Sequence, residues 1–387
     1  MTQCTPSTAP QPAATITRRR SFTIGLPASS TLFPVTPEGA ARLVDRGYRV
    51  KMEAGAAKTI HYTDNQYMLA GASVVDRNEA LGCDIVILPG RIEYPDIPHM
   101  RRGAMLLTLW HPTVADGSVL RQLLERSIIT VALDLVRDDR GHTPFADILA
   151  EIDGRAAVAL ASSLLADAVT GKGILLGGIA GTNPCEVTIL GSGIAARAAA
   201  RSAAGLGATV RMFDDDIYSL RDALRELGTS VIGTALQPRG LANALHWADI
   251  VITTEMKHPV KLDSDQVADM KRGLIAFDLT PNGGAFPSMQ SMDLAQGVAK
   301  GPIAMGRVCY TNARNAVPRT TAMALSDTLI TMLSELHTRE GGVADALKLS
   351  PGLQKGVLTF LGHPVHKSVA EAVKMRQVDI TLFLHLT

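Results

Sequence analysis

The residues best placed to do chemistry are a pair of glycines. The apolar run Val187-Thr188-Ile189-Leu190 passes directly into Gly191-Ser192-Gly193-Ile194-Ala195-Ala196, and an alanine-rich stretch follows from Arg197 to Leu206. The order is strand, Gly-x-Gly-x-x-Ala turn, helix. Gly191 permits the tight turn, Gly193 lets a ligand's diphosphate approach the backbone, and Ala196 keeps the helix close to the sheet. The helix start then offers N–H groups without intrahelical acceptors and a partial positive charge. Some ~20 residues on, the next strand ends in Phe213-Asp214, where a carboxylate can accept both ribose hydroxyls and repel a 2′-phosphate. Taken together, Gly191, Ser192, Gly193, Ile194, Ala195 and Asp214 read as a site for NAD rather than NADP. Arg211 or Arg221 are the cations that would rescue a phosphorylated cofactor. The alternative is a glycine-rich turn with no ligand, and the full strand–turn–helix–strand–acid context argues against it.

A second chemical group is His111. It closes the apolar run Leu107-Thr108-Leu109-Trp110 and precedes Pro112, a position from which a side chain can leave the carboxyl edge of a sheet and enter a cleft. Its imidazole titrates near neutrality and can give a proton to a developing alkoxide or take it back; a hydrogen-bonded histidine that only fixes a loop is the bland alternative. His258, His363 and His366 lack metal-ligand spacing, and Cys4, Cys83, Cys185 and Cys309 form no pair or cluster, so neither a metal site nor a disulfide framework is expected. Within Asp214-Asp215-Asp216 one carboxylate reads as the ribose ligand and the other two as solvated.

These residues need a scaffold. The chain has 387 residues, which at ~150 per domain implies two or three domains. A hydrophobic content of 46% excludes disorder, a net charge of +1 excludes a nucleic-acid grip by bulk charge, and 4% aromatics leave no base-stacking platform. No run reaches the ~18 apolar residues that span a bilayer, and the stretch after Arg18-Arg19-Arg20 is too short for an export signal. A cytoplasmic protein is expected.

Residues 1–20 read as a flexible arm. Short apolar segments at 21–26, 48–52, 85–88, 105–109 and 128–133 alternate with helical ones, and a second such run has strands at 187–190, 209–213, 250–253, 274–277 and 308–310. Alternation of this kind predicts parallel sheets with helices on both faces. Long helices are expected at 151–169 and 320–337, and two short ones within 341–375. The fold class is therefore α/β, with two Rossmann-like doubly wound parallel-sheet domains joined by long helices.

Further segments carry a family resemblance. They are Gly47-Tyr48-Arg49-Val50 with Glu53-Ala54-Gly55-Ala56, Leu107 to His111, Gly171-Lys172-Gly173-Ile174-Leu175-Leu176-Gly177-Gly178, and Asn312 to Thr320 with its Ala-Val-Pro-Arg-Thr. With the nucleotide turn, these make the chain resemble the alanine dehydrogenase and pyridine nucleotide transhydrogenase family from about Ile24 to Val373. The resemblance implies a substrate domain of residues 21–150 plus 321–387 and an inserted NAD domain of 151–320, with the active site in the cleft between them. It implies NAD, a small-molecule substrate, and a homo-oligomer, dimeric or hexameric, without nucleic-acid or membrane partners.

In alanine dehydrogenases that cleft interconverts an amino acid and a 2-oxo acid. A histidine acts on the substrate oxygen, an aspartate assists, and an arginine and a lysine hold the carboxylate. His111 falls on the histidine, and Asn312 on an asparagine at the nicotinamide and substrate end. The other positions depart from the pattern. Leu32 stands at the arginine, Arg91 lies one residue from the lysine, Asn282 is at or beside the aspartate, and Asp278 matches an earlier aspartate at the strand end. The resemblance thus implies catalytic roles for His111, Asn282 and Asp278, and substrate binding by Arg91 and Asn312, on a substrate other than plain alanine. A non-catalytic NAD sensor and a transhydrogenase alpha-subunit-like module are the alternatives; against the latter, 145–154 lacks the Arg-Ala-Gln-x-x-Asp loop of transhydrogenases.

Overall fold

The computed structural model describes residues 21–384, apart from 30, 91, 110–115, 282, 300–305, 335, 337–341 and 349. Two sheets hold the described chain. The first contains β1 (Thr23–Leu26), β2 (Arg49–Glu53), β3 (Ser73–Val75), β4 (Ile85–Ile87), β5 (Met105–Thr108) and β6 (Ile129–Ala132). The second contains β7 (Glu186–Leu190), β8 (Thr209–Asp214), β9 (Val231–Ala235), β10 (Ile250–Thr253), β11 (Leu274–Asp278), β12 (Ser291–Asp293) and β13 (Arg307–Thr311). After it the chain returns to the first sheet with β14 (Val357–Phe360) and β15 (His363–Pro364).

The strand orders are β15-β14-β6-β5-β4-β1-β2-β3 and β12-β13-β11-β10-β7-β8-β9. Every pairing is parallel except those of β14 with β6 and β15 with β14. In each sheet the winding runs outward one way through three strands and then reverses, at β1/β4 in the first and β7/β10 in the second. A reversal of this kind leaves a crevice outside the carboxyl ends of the strands, where doubly wound folds bind ligands. Strands β4, β5, β6, β10 and β11 are buried along their whole length, as helices on both faces require. Each sheet accordingly carries a hydrophobic cluster on either side.

The segment expected as two short helices is different in part. Val357-Leu358-Thr359-Phe360 is a strand, because its β-branched and aromatic run covers the edge that β6 would otherwise expose. Buried Thr359 fixes the join: its Oγ1 accepts from the Thr130 N–H at 3.1 Å and donates to the Ile128 carbonyl at 2.8 Å. Strands β3, β9 and β12 also fall outside the sequence expectation. All three are edge strands with half-exposed residues, so their hydrophobic signal is weak.

Two long helices tie the sheets together. The 23-residue helix Pro144–Ala166 puts Phe145 and Leu149 into the core of the first sheet and Ala156, Ala157 and Ala161 into that of the second. It lies close against the helix Ile194–Gly205, since a Cβ on Gly154 would stand 2.1 Å from the Ala195 carbonyl oxygen. The helix Pro318–Leu333 packs back on the first sheet through Ala322, Leu325 and Leu329. Among the described residues no helix is long and apolar enough to cross a membrane.

Candidate dinucleotide site

Strand β7 ends at the switch point of the second sheet, and the glycine turn leaves it there. Gly191 has φ +109°, and a Cβ on it would meet Thr254 Oγ1 at 2.1 Å, so both backbone and packing demand glycine. Gly193 is a different case. Its φ of −71° and ψ of −170° suit any residue, and a Cβ there would meet no atom within 4 Å. Among the described residues nothing requires glycine at 193, and its bare backbone leaves room for a ligand at the helix start.

The turn is held from both sides. Arg197 Nε donates to the Ser192 carbonyl at 2.8 Å while its guanidinium pairs with Glu226 at 3.0 Å. Buried Ser192 donates through Oγ to Asp214 Oδ2 at 2.6 Å, and Asp214 Oδ1 accepts the Asp216 N–H at 2.9 Å. Those bonds aim the Asp214 carboxylate, 4% exposed, at the nucleotide turn. Each of its oxygens retains acceptor capacity for a ribose hydroxyl. Ile194 is exposed, and Ala195 is buried in the first helical turn. The site therefore fits a dinucleotide: open space at Gly193, donors at a helix start, and an oriented carboxylate one strand away.

The cations considered for a 2′-phosphate are occupied elsewhere. Arg211 pairs with Glu186 at 3.2 Å, and Arg221 lies over the Tyr218 ring. Nor are the neighbours of Asp214 simply solvated. Asp216 caps the helix Ile217–Leu227 by accepting from the Tyr218 and Ser219 N–H groups. Asp215 takes a hydrogen bond from His258, which holds its carboxyl below the usual carboxylate range. Sequence spacing gave no hint of that histidine, because it comes from the loop after β10.

Of the residues implied for catalysis and substrate binding, His111, Asn282 and Arg91 lie outside the described residues. Asp278 ends β11, buried, and its carboxylate takes four hydrogen bonds. Oδ1 accepts from Thr253 Oγ1 at 3.2 Å and from the N–H and Oγ1 of Thr280 at 3.1 and 2.5 Å, and Oδ2 accepts the Ala285 N–H at 2.9 Å. An oxygen pair with four donors organises the loop 279–285 that carries Asn282. Leu32 is buried, at 6% exposure, and brings no charge to that position.

Asn312 is exposed and left-handed, at φ +54°. Its Nδ2 donates to Asp293 Oδ2 at 2.7 Å, and Asn315 Nδ2 donates to Asp293 Oδ1 at 3.1 Å. The turn that follows is clamped by Asp153, buried in the long bridging helix, which accepts from the Arg314 N–H at 2.7 Å and from its guanidinium at 2.5 Å. Burial raises the Asp153 carboxyl above its usual range, against the pull of Arg314. Asp153 and Asp293 were missed from sequence, and no local pattern marks them; their partners lie 161 and 19 positions away. Among the described residues no group of His, Cys, Asp and Glu is arranged to hold a metal ion.

The fold and this site define a two-sheet, dinucleotide-binding α/β protein. Comparison with known proteins carries the assignment further. The chain matches the family described as "Alanine dehydrogenase/PNT, N-terminal domain" over residues 30–152 and "Alanine dehydrogenase/PNT, C-terminal domain" over 157–367. It is 30% identical to the alanine dehydrogenase of Mycolicibacterium smegmatis over 90% of this chain and 95% of that one. Alanine dehydrogenase 2 of Staphylococcus aureus (strain MRSA252) is 28% identical over 91% of this chain and 95% of its own. Among solved structures, an L-alanine dehydrogenase superposes with a TM-score of 0.80 at 24% identity, covering 91% of this chain and 99% of that chain. A transhydrogenase from Sinorhizobium meliloti gives 0.71 at 20%, covering 89% and 99%. The protein belongs to the alanine dehydrogenase/PNT family, a family of NAD-dependent oxidoreductases, and NAD is its cofactor.

Proposed function

We propose that the protein is an NAD-dependent, amino-acid-dehydrogenase-like oxidoreductase acting on a small amino acid, 2-oxo acid or imine other than plain alanine. The observation that carries this reading is the emptiness above Gly193, beside an Asp214 carboxylate already oriented by Ser192. When bound, NAD supplies or accepts the hydride. The chain's own residues do the rest. Gly191 to Ala195 receive the diphosphate at the helix start, and Asp214 accepts the ribose hydroxyls. His111 gives or takes the proton at the substrate's oxygen or nitrogen. Asn312, with one amide N–H bonded to Asp293, keeps a second N–H and its carbonyl oxygen for the nicotinamide or the substrate, and Arg91 provides a cation for a carboxylate. Asp278 acts by holding the loop of Asn282.

The substrate is taken to differ from alanine because one of the two cations that hold the carboxylate is gone: Leu32 stands at the arginine position, and a buried carboxylate short of a cation costs several kcal/mol. That same leucine is the specific support for a second reading, an NAD-binding sensor without turnover. The test begins with titration by NADH and NADPH, followed by a panel of amino acids, and of 2-oxo acids with ammonia. NADH consumption that His111→Ala abolishes is expected. Tight NADH binding with no consumption across the panel would favour the sensor, and absence of binding would reject both.

A further inference from the structure

In the second sheet β7 lies between β8 and β10, and the winding reverses at the β7/β10 junction. The loop that leaves β10 crosses this crevice and is pinned at its base. Thr254 bonds to the Leu190 carbonyl through its N–H at 2.9 Å and its Oγ1 at 3.0 Å. The loop then lies over Gly191, whose missing Cβ would stand 3.1 Å from the Glu255 carbonyl oxygen and 3.3 Å from Met256 Cγ. Its far end is held as well, because His258 Nδ1 bonds to Asp215 Oδ2 on the turn after β8. Since β8 and β10 flank β7, that bond passes above the strand end from which the nucleotide turn departs. Asp215 sits next to Asp214, and among the described residues its other oxygen is buried without a hydrogen-bond partner. The His258 side chain is 76% exposed, and the described residues offer it no other hydrogen bond.

We propose that residues 255–258 form a strap across the adenosine end of the dinucleotide crevice, latched by His258 on Asp215, and that the latch opens before adenosine can seat beside Asp214. The inference rests on the dinucleotide site proposed above. It makes His258 and Asp215 the residues that govern entry at that end, whereas the glycine turn and Asp214 govern affinity. A hydrogen bond whose His258 end is open to solvent is weak, so the latch is open for an appreciable fraction of the time and slows entry only modestly.

Stopped-flow binding of NADH to the full chain tests this. His258→Ala is expected to raise the association rate roughly two- to fivefold, and Asp215→Asn to do the same. ADP-ribose, which carries the adenosine end, should show the same acceleration in competition. Reduced nicotinamide mononucleotide, which lacks it, should bind at an unchanged rate. His258 is on the surface and Asp215 half-buried, and a thermal melt checks that the fold is intact. Wild-type binding of NADH with an unchanged or slower rate in His258→Ala overturns the strap and leaves the dinucleotide site standing. Equal acceleration of the mononucleotide also overturns it, since the latch would then not act at the adenosine end. A wild-type chain that binds neither nicotinamide dinucleotide overturns both.

Discussion

Gly191 and Gly193 are the same residue type two positions apart, yet physics assigns them to different tasks. At Gly191 a side chain collides with Thr254 and needs a left-handed backbone, so Gly191→Ala should destabilise the fold by ~2–4 kcal/mol, read by urea unfolding. At Gly193 none of the described residues stands in the way of a Cβ. Gly193→Val should leave the melting temperature within ~2 °C of wild type while weakening NADH binding at least ~10-fold by blocking the diphosphate. A large loss of stability there, with binding retained, would mean the glycine serves the fold after all. Asp214 is the third member. Removing its charge-assisted bonds in Asp214→Ala should cost NADH ~10-fold or more and narrow its advantage over NADPH, as fluorescence titration would show. These proposed roles are legible in the sequence because each depends on one residue type at a fixed offset from a strand end. The Asp215–His258 bond is not legible, because it joins two loops whose approach depends on strand order.

Between elements, the turn that carries Asn312 is secured by a carboxylate on a distant helix. Arg314→Ala leaves Asp153 buried without its partner and should cost about 3 kcal/mol of stability. The pH dependence has a definite sign. Because the Asp153 pKa is raised in the folded state, the contribution of this group is complete below its unfolded value of ~3.9 and is lost as pH rises through the folded value. Urea unfolding from ~pH 4 to ~pH 7 should therefore show the wild type losing stability relative to Asp153→Asn as pH rises; a flat difference or the opposite slope would count against burial as the dominant cause. The two long helices were readable in their middles but not at their ends: 151–169 was expected where the helix runs Pro144–Ala166, and 320–337 where it runs Pro318–Leu333. The edge strands β3, β9 and β12 were not readable, because three to five half-exposed residues carry little pattern.

At the scale of the molecule, the chain leaves its first sheet, builds the second, and returns to close the first with β14. Ending the chain after Ser350 should bare the edge of β6 and give aggregated protein on sedimentation. Thr359→Val, a smaller insult to the same join, should cost ~1–3 kcal/mol by stranding the Thr130 N–H. By itself the sequence determined the alternation of strands and helices, the nucleotide turn with its acid, and the resemblance to one enzyme family. All of these are local: a period, a glycine at a required dihedral, a charge at a set distance along the chain. Only the tertiary structure decided which edge the C-terminal segment covers, that Asp278 is spent on its own loop, that Asp153 reaches Arg314, and that His258 arches over β7 to Asp215. Each of those depends on which strands become neighbours, and strand order follows from how whole helices bury their apolar faces, a property that no stretch of residues carries alone.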